Sequence, residues 1–170
     1  FGVNAFELLA NSFGGSGYDI ACAQHDTPII YSISNGNPKT KPVVFNPPFI
    51  ENLYFIYLNK KQNTKKAVLD YRKKADGLPK LVEKVNDIIV KAQVTNSFDD
   101  FCSLLDQHSA LMSKTLQLPT IKEEHFTDFN GTLKSLGAWG GDFILAASRS
   151  NPSEYFKAKG YEIIIPYNQM

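Results

Sequence analysis

The run Asn-Pro-Pro at residues 46–48 is the feature that most restricts how this chain can fold. Two successive prolines cannot continue the hydrogen-bond ladder of a strand, and they open a helix poorly. We therefore predict a domain boundary there, with one domain over residues 1–48 and a second over residues 49–170. The chain is 43% hydrophobic and at this length can bury roughly 70% of its unfolded surface, which excludes disorder as its main state.

The first predicted domain contains two short helices and a hairpin. Asn4 and Glu7 have the spacing of a capping box, which predicts a helix through about residue 11. After a glycine cluster, a second helix is predicted over residues 18–25. The β-rich runs 29–34 and 42–45 flank the turn-forming sequence Asn-Gly-Asn-Pro, so we predict a hairpin there.

The second predicted domain combines strands with a block of helices. Strands are predicted over residues 53–58, 132–139, 142–148 and 161–165, and helices from Thr64, from Pro79, from Ser97, over residues 121–130 and from Pro152. The order is β-α-α-α-α-β-β-α-β. Without the extra helices it becomes βαββαβ, the split βαβ of ferredoxin-like domains, in which helices cover one face of an antiparallel sheet. The expected fold class is therefore α+β.

Charge and composition argue against several classes of function. The 18 basic and 17 acidic residues give a net charge of +1, so the chain has no global field that attracts nucleic acid or anionic membranes. No apolar run reaches the roughly 18 to 20 residues that span a bilayer. Cys22 and Cys102 lack the spacing of a disulfide framework or a zinc site, so we expect a soluble protein of the reducing cytoplasm. The oligomeric state is left open.

One stretch differs from this neutral average. Residues 60–91 carry ten Lys or Arg against four Asp or Glu. Because the basic residues interleave with an apolar stripe at helical spacing, the simplest interpretation is the solvated face of two amphipathic helices. A role in attracting a nucleotide or a phosphorylated substrate is the alternative.

The segment Gly14 to Ala21, with the sequence GGSGYDIA, is the first candidate for chemistry. Its glycines let the backbone approach a ligand closely, and the helix that follows offers unpaired N–H groups to an anion. Asp19, one step inside that helix, could accept a proton from a substrate or orient a hydroxyl for attack on phosphorus. The alternative is a plain glycine turn followed by an aspartate that the helix dipole favours.

The second candidate is the segment Gly137 to Phe143, with the sequence GAWGGDF, at the tip of a predicted hairpin. Its glycines could again bring backbone near a ligand, or they could simply form a tight turn. Two such motifs on two predicted domains favour a site at the domain interface.

Together the two segments resemble the glycine motifs of the GHMP small-molecule kinases, especially the mevalonate and phosphomevalonate kinases. GGSGYDIA is similar to the aspartate motif of that family, and GAWGGD is similar to its third, C-terminal motif. The order and spacing of the motifs match as well, and the resemblance covers essentially all 170 residues. It implies the end of a ribosomal-S5-domain-2-like N-terminal domain, followed by a ferredoxin-like C-terminal domain with extra helices.

The resemblance also implies an activity, namely ATP-dependent phosphoryl transfer to a small-molecule alcohol or phosphate. Asp19 matches the catalytic carboxylate of the family. The residues that match its phosphate-binding and cleft-lining positions are Gly15, Ser16, Gly17, Gly137, Ala138, Gly140, Gly141 and Asp142. Mg²⁺ is expected with ATP, but its usual ligands belong to a part of the family's chain that has no counterpart here, so no metal ligand is assigned. Mevalonate, phosphomevalonate, homoserine and sugars all stay open as the acceptor.

The sequence departs from the family in three respects. It has no phosphate loop of the proline-glycine-leucine-serine-serine type before Asp19, it lacks the N-terminal substrate-binding strand, and Trp139 stands where a glycine is commoner. We therefore expect the chain to correspond to a C-terminal portion that does not turn over ATP alone. A non-catalytic binding or interaction protein on the same scaffold is the alternative.

The three histidines, His25, His108 and His125, do not have the spacing of metal ligands with nearby carboxylates. His25 is interpreted as a residue that caps carbonyl groups at the end of its helix, with substrate contact as the alternative. His108 is interpreted as a half-buried structural residue.

Overall fold

The computed structural model of the protein describes residues 5–10, 16–34, 36–60, 78–137 and 141–170. The chain divides into two compact units, Phe1–Asn46 and Pro47–Met170, which we call the first and the second unit. The described residues form a mixed α+β structure with two antiparallel sheets, one in each unit. The α+β fold class expected from the sequence is thus confirmed.

The first unit consists of two short helices and a two-stranded sheet. Its elements are α1 (Ala5–Ala10), α2 (Tyr18–Ala23), β1 (Ile29–Ser34) and β2 (Asn37–Pro42). Both predicted helices and the hairpin are present. Asn4, the expected cap of α1, lies outside the described residues.

The position of β2 differs from the prediction, which placed the second strand of the hairpin at residues 42–45. Ser34 lies directly opposite Asn37, so the chain reverses over two residues, and Gly36 has the positive φ of 78° that such a turn requires. Pro38 and Pro42 therefore belong to the strand. They lie opposite residues with which an antiparallel pair exchanges no backbone hydrogen bonds, so their missing N–H groups cost this ladder nothing.

The second unit is built on a four-stranded antiparallel sheet. Its strands are β3 (Leu53–Tyr57), β4 (Thr132–Ser135), β5 (Phe143–Ala147) and β6 (Ile164–Pro166). Their order across the sheet is β4-β5-β3-β6, and each neighbouring pair runs antiparallel. The first strand of the unit therefore lies between the third and the fourth.

Four helices of the second unit are described: α3 (Leu78–Val94), α4 (Phe98–Leu116), α5 (Ile121–His125) and α6 (Ser153–Ala158). The Ser97 side chain caps α4 by accepting from the backbone N–H of Asp100, as the sequence predicts. Thr120 and Glu123 form a reciprocal capping box at the start of α5. The helix predicted from Thr64 lies outside the described residues. None of the described helices is both long and apolar enough to cross a bilayer.

Three predicted elements end or begin elsewhere in the structure. β4 ends at Ser135, and Gly137 takes a positive φ of 64°, so the connection to β5 is longer than a two-glycine turn. α5 ends at His125 instead of residue 130, because Phe126 turns into the core. β6 begins at Ile164 instead of residue 161, because the N–H of Tyr161 still donates to the end of α6.

Helices lie against both faces of the sheet, whereas the sequence predicted helices on one face. On one face, Leu133 joins a core cluster with Ile56, Ile144 and the rings of Phe126 and Phe156. Neighbouring residues of a strand point to opposite faces. Thr132 therefore belongs to the other face, where its hydroxyl donates to Asp106 of α4. The helix α4 thus covers the face of the sheet that a plain βαββαβ unit leaves without helices.

Candidate functional site

The first glycine motif is shaped by close packing at Gly17. This residue immediately precedes α2, is buried, and has a φ of 80°. A Cβ atom built there would lie 2.7 Å from the ring of Phe6. Both the left-handed backbone and the ring contact therefore require glycine at this position. Gly14 and Gly15 lie outside the described residues.

Ser16 and Tyr31 connect this motif to the hairpin. The Ser16 hydroxyl accepts from the backbone N–H of Tyr18 at 3.3 Å, and the Tyr31 hydroxyl donates to the Ser16 carbonyl oxygen. The rings of Tyr18 and Tyr31 meet edge to face, with 5.9 Å between their centroids. The loop before α2 is thereby tied to β1, which fixes the start of the helix.

Asp19 lies in the first turn of α2 and is exposed. Its carboxylate forms no hydrogen bond or ion pair with the residues that the structure describes. The Asp19 carboxylate is therefore accessible, as a group that takes a proton from a bound hydroxyl must be. At the neighbouring residue Tyr18, a hydrogen bond with Cys22, together with burial, raises the pKa of the phenol to about 12.

His25 lies just beyond α2, and its Nδ1 is 2.8 Å from the carbonyl oxygen of Ala21. This contact confirms the interpretation of His25 as a residue that caps helix carbonyls.

The second glycine motif begins and ends in described residues. Gly137 has a φ of 64°, Gly141 is buried and Asp142 is half-buried. The carbonyl oxygen of Asp142 accepts from the N–H of Leu58 at 2.7 Å, so the end of the motif is fixed beside the end of β3. Ala138, Trp139 and Gly140 lie outside the described residues.

The structure thus places the described residues of the two motifs in different units, with Ser16, Gly17 and Asp19 in the first and Gly137, Gly141 and Asp142 in the second. Each set is positioned by contacts within its own unit. A single site formed by both motifs stays a prediction.

A polar group under α4 was not anticipated from the sequence. Lys134 points from β4 toward α4, and its ammonium donates to the Ser135 carbonyl oxygen at 3.2 Å. Burial lowers the pKa of Lys134 to about 8. Burial, and secondarily the charge of Lys134, lower the pKa of His108 to about 4. The signal in the sequence is the spacing of Thr132 and Lys134, which lie two residues apart and therefore on the same face of β4. This spacing indicates a buried polar group only once α4 is known to lie over that face.

Two buried atoms near this group lack a hydrogen-bond partner among the described residues. They are Nδ1 of His108 and the hydroxyl oxygen of Ser109, a residue that is 5% exposed. His108 is half-buried, in agreement with its structural interpretation. Within the described ranges, no three or more His, Cys, Asp or Glu side chains come together in a way that could hold a metal ion.

Comparison with known proteins shows similarity in fold. No protein-family profile and no curated protein matches the sequence. Among solved structures, the chain is similar to L. major mevalonate kinase, whose structure was determined in complex with R-mevalonate. The TM-score is 0.58 at 19% sequence identity, over 88% of this chain and 51% of the kinase chain. The chain therefore has a fold similar to about half of that mevalonate kinase.

Proposed function

We propose that this chain is part of a GHMP-type small-molecule kinase, which transfers a phosphoryl group from ATP to a small alcohol or phosphate. The observation that carries the proposal is the similarity of fold to L. major mevalonate kinase over 88% of the chain. The two glycine motifs, which resemble those of the same family, support it from the sequence. A mevalonate or phosphomevalonate kinase is the form of the proposal that both lines favour.

The strand order of the second unit supports its assignment as a ferredoxin-like domain. In chain order, its four strands are arranged 2-3-1-4 and all neighbours are antiparallel. A βαββαβ chain consists of two βαβ halves, in each of which a helix connects two strands. The order 2-3-1-4 arises when the strands of the two halves alternate across the sheet. Within the same proposal, the first unit is the end of a ribosomal-S5-domain-2-like domain.

In the proposed reaction, Asp19 takes the proton from the acceptor hydroxyl as that oxygen attacks phosphorus. Its exposure and its lack of a partner among the described residues support this role. Gly15, Ser16 and Gly17 shape the loop beside the transferred group. Gly137, Ala138, Gly140, Gly141 and Asp142 line the cleft from the second unit.

Among the described residues, no three or more His, Cys, Asp or Glu side chains come together, and a magnesium ion bound with a nucleotide takes many of its ligands from phosphates and water. We therefore assign no step of this chain to the metal. We propose that the phosphate loop and the metal ligands come from outside these 170 residues. The chain's span of about half of the similar kinase agrees with that division.

The proposal is tested by measuring ADP release from ATP and magnesium by the natural full-length protein and by the 170-residue chain. The acceptor panel is mevalonate, phosphomevalonate, homoserine and sugars. We expect turnover by the full-length protein with one acceptor. Asp19→Asn should lower kcat by about 100-fold or more, the range for loss of a general base, while the matched exposed control Asp26→Asn should stay within about twofold.

Two results would contradict the proposal. Turnover at a normal rate by Asp19→Asn would remove that carboxylate from the chemistry. Failure of the folded full-length protein to bind ATP or any acceptor would leave similarity of fold alone, and would favour a binding protein on the same scaffold.

A further inference from the structure

Tyr31, on β1, lies against the segment 16–18, which leads directly to Asp19. Its hydroxyl donates to the carbonyl oxygen of Ser16, and its ring meets the ring of Tyr18 edge to face, with 5.9 Å between centroids. Gly17 lies between these two contacts, and a Cβ atom built there would be 3.3 Å from the Tyr31 hydroxyl oxygen. The side chain of one tyrosine thus lies beside all three residues that precede Asp19.

The hydroxyl of Tyr31 sets the direction of the peptide group that joins Ser16 to Gly17. Because a peptide group is planar, fixing its carbonyl oxygen also fixes the direction of the Gly17 N–H. Gly17 continues the chain with a φ of 80° and a ψ of 5°, and its own carbonyl oxygen accepts from the N–H of Ala21 at 3.0 Å. The hydrogen bond from Tyr31 therefore acts at the two residues from which α2 starts.

Tyr31 is itself held in place by the hairpin. It lies in the middle of β1, opposite Thr40 of β2, and its ring is half-buried. Its neighbours Ile30 and Ser32 lie opposite residues with which an antiparallel pair exchanges backbone hydrogen bonds. A side chain carried by a paired strand is positioned more precisely than one carried by a loop, so Tyr31 gives the segment 16–18 a rigid support.

Asp19 depends on this support because its carboxylate has no hydrogen bond or ion pair with the described residues. Its position is therefore set by the backbone of α2 and by its own side-chain torsions. α2 is six residues long, and a helix of this length is not stable by itself in water. The contacts at the start of α2 consequently determine where the Cα atom of Asp19 lies.

We propose that Tyr31 is a positioning residue for Asp19, and that its hydroxyl holds the segment 16–18 so that the carboxylate reaches the acceptor hydroxyl. This inference rests on the proposed function, in which Asp19 is the base. A base acts only within hydrogen-bond distance of the proton that it takes, and a displacement of about 1 Å can cost on the order of 100-fold in rate. Tyr31 acts through Asp19 and has no separate part in the chemistry.

The test is Tyr31→Phe in the natural full-length protein, with ADP release measured on the acceptor that the wild type uses. The variant keeps the ring and removes only the hydroxyl. We expect kcat to fall about tenfold while KM stays within about twofold, the pattern for an interaction that matters only in the transition state. The matched control is Tyr155→Phe, which removes a hydroxyl that donates to Asp128 at 2.6 Å in the second unit. It should leave kcat within about twofold.

A double variant separates positioning from a general loss of structure. With Asp19→Asn already present, Tyr31→Phe should change kcat by less than about twofold, because no base is left to position. Hydrogen exchange over residues 18–23 should be faster in Tyr31→Phe than in the wild type and unchanged in Tyr155→Phe. Circular dichroism establishes that each variant is folded.

The possible results distinguish this inference from the proposed function. No turnover by the wild type contradicts the proposed function, and removes the reaction in which Tyr31 would act. Turnover by the wild type with an unchanged kcat in Tyr31→Phe would overturn the inference alone. A further tenfold loss in the Asp19→Asn background, or unchanged hydrogen exchange in α2, would also overturn it.

Discussion

Lys134 places a positive charge at the contact between β4 and α4, and removing that charge should stabilise the protein. We expect Lys134→Met to raise the free energy of unfolding at pH 7. Methionine keeps the length and apolar character of the lysine stem but has no ammonium to remove from water. The variant gives up one hydrogen bond, the 3.2 Å contact with the Ser135 carbonyl oxygen.

The magnitude follows from the pKa. Burial lowers the pKa of Lys134 from 10.5 to about 8, so the folded state disfavours the charged form by about 3 kcal/mol. At pH 7 the lysine is charged in both the folded and the unfolded state, so the whole of this cost is present. After subtraction of about 1 kcal/mol for the lost hydrogen bond, the expected gain is about 1 to 2 kcal/mol.

The gain should depend on pH in a defined direction. Between pH 8 and about 10.4, the unfolded state binds more protons at this residue than the folded state, so the stability of the wild-type protein rises with pH there. The variant lacks this rise. Its advantage over the wild type should therefore shrink between pH 7 and pH 9.5.

Urea unfolding followed by circular dichroism at pH 7 and pH 9.5 measures both effects. The matched control is Lys157→Met, at an exposed lysine of α6, and it should change stability by less than about 0.5 kcal/mol. A Lys134→Met protein that is less stable than the wild type at pH 7, or whose advantage is the same at both pH values, would refute the reasoning.

Three further predictions concern packing, the glycine motif and acid stability. Phe156→Ala should cost about 3 to 5 kcal/mol in urea unfolding, because the ring is fully buried and contacts several aromatic rings; a loss below 1 kcal/mol would contradict this packing. Gly17→Ala should cost about 1 kcal/mol or more in the same assay, since it combines a positive φ with a clash against Phe6; an unchanged midpoint would be inconsistent with the described turn. Stability should fall as pH drops from about 6.5 toward 4, because the unfolded state protonates His108 and the folded state does not. The fall should be smaller in His108→Gln, and equal slopes in wild type and variant would argue against the lowered pKa.

Local signals in the sequence predicted where most elements are, and failed mainly at their ends. Ser97 caps α4 because a side-chain oxygen three residues before a free N–H is a local arrangement. The end of α5 depends instead on Phe126 entering a core formed with distant residues. A tertiary contact of this kind is not encoded in short-range patterns. β6 begins late for a local reason, because the N–H of Tyr161 stays bonded to the end of α6, five residues back.

The candidate sites also divide into those that a local sequence signal predicted and those formed by residues distant in the sequence. The glycine motifs were identified because glycine and aspartate are close in sequence and resemble a known family. The environment of Lys134 could not be predicted, since it depends on α4 lying over β4. A cleft lined by Tyr57 and Glu162 could not be predicted either, because these residues come together only through the pairing of the end of β3 with the approach to β6.

The prolines of β2 determine on which side the sheet of the first unit can grow. The positions of β2 that direct backbone groups away from β1 are 38, 40 and 42. Pro38 and Pro42 have no N–H, so Thr40 is left as the single outward donor of this edge, and another chain cannot pair with it as a full strand. The opposite edge keeps all its outward donors, at Ile29, Tyr31 and Ile33. Any strand that extends this sheet, from the same protein or another, must therefore add beside β1, while the β2 edge resists the edge-to-edge association that leads to aggregation.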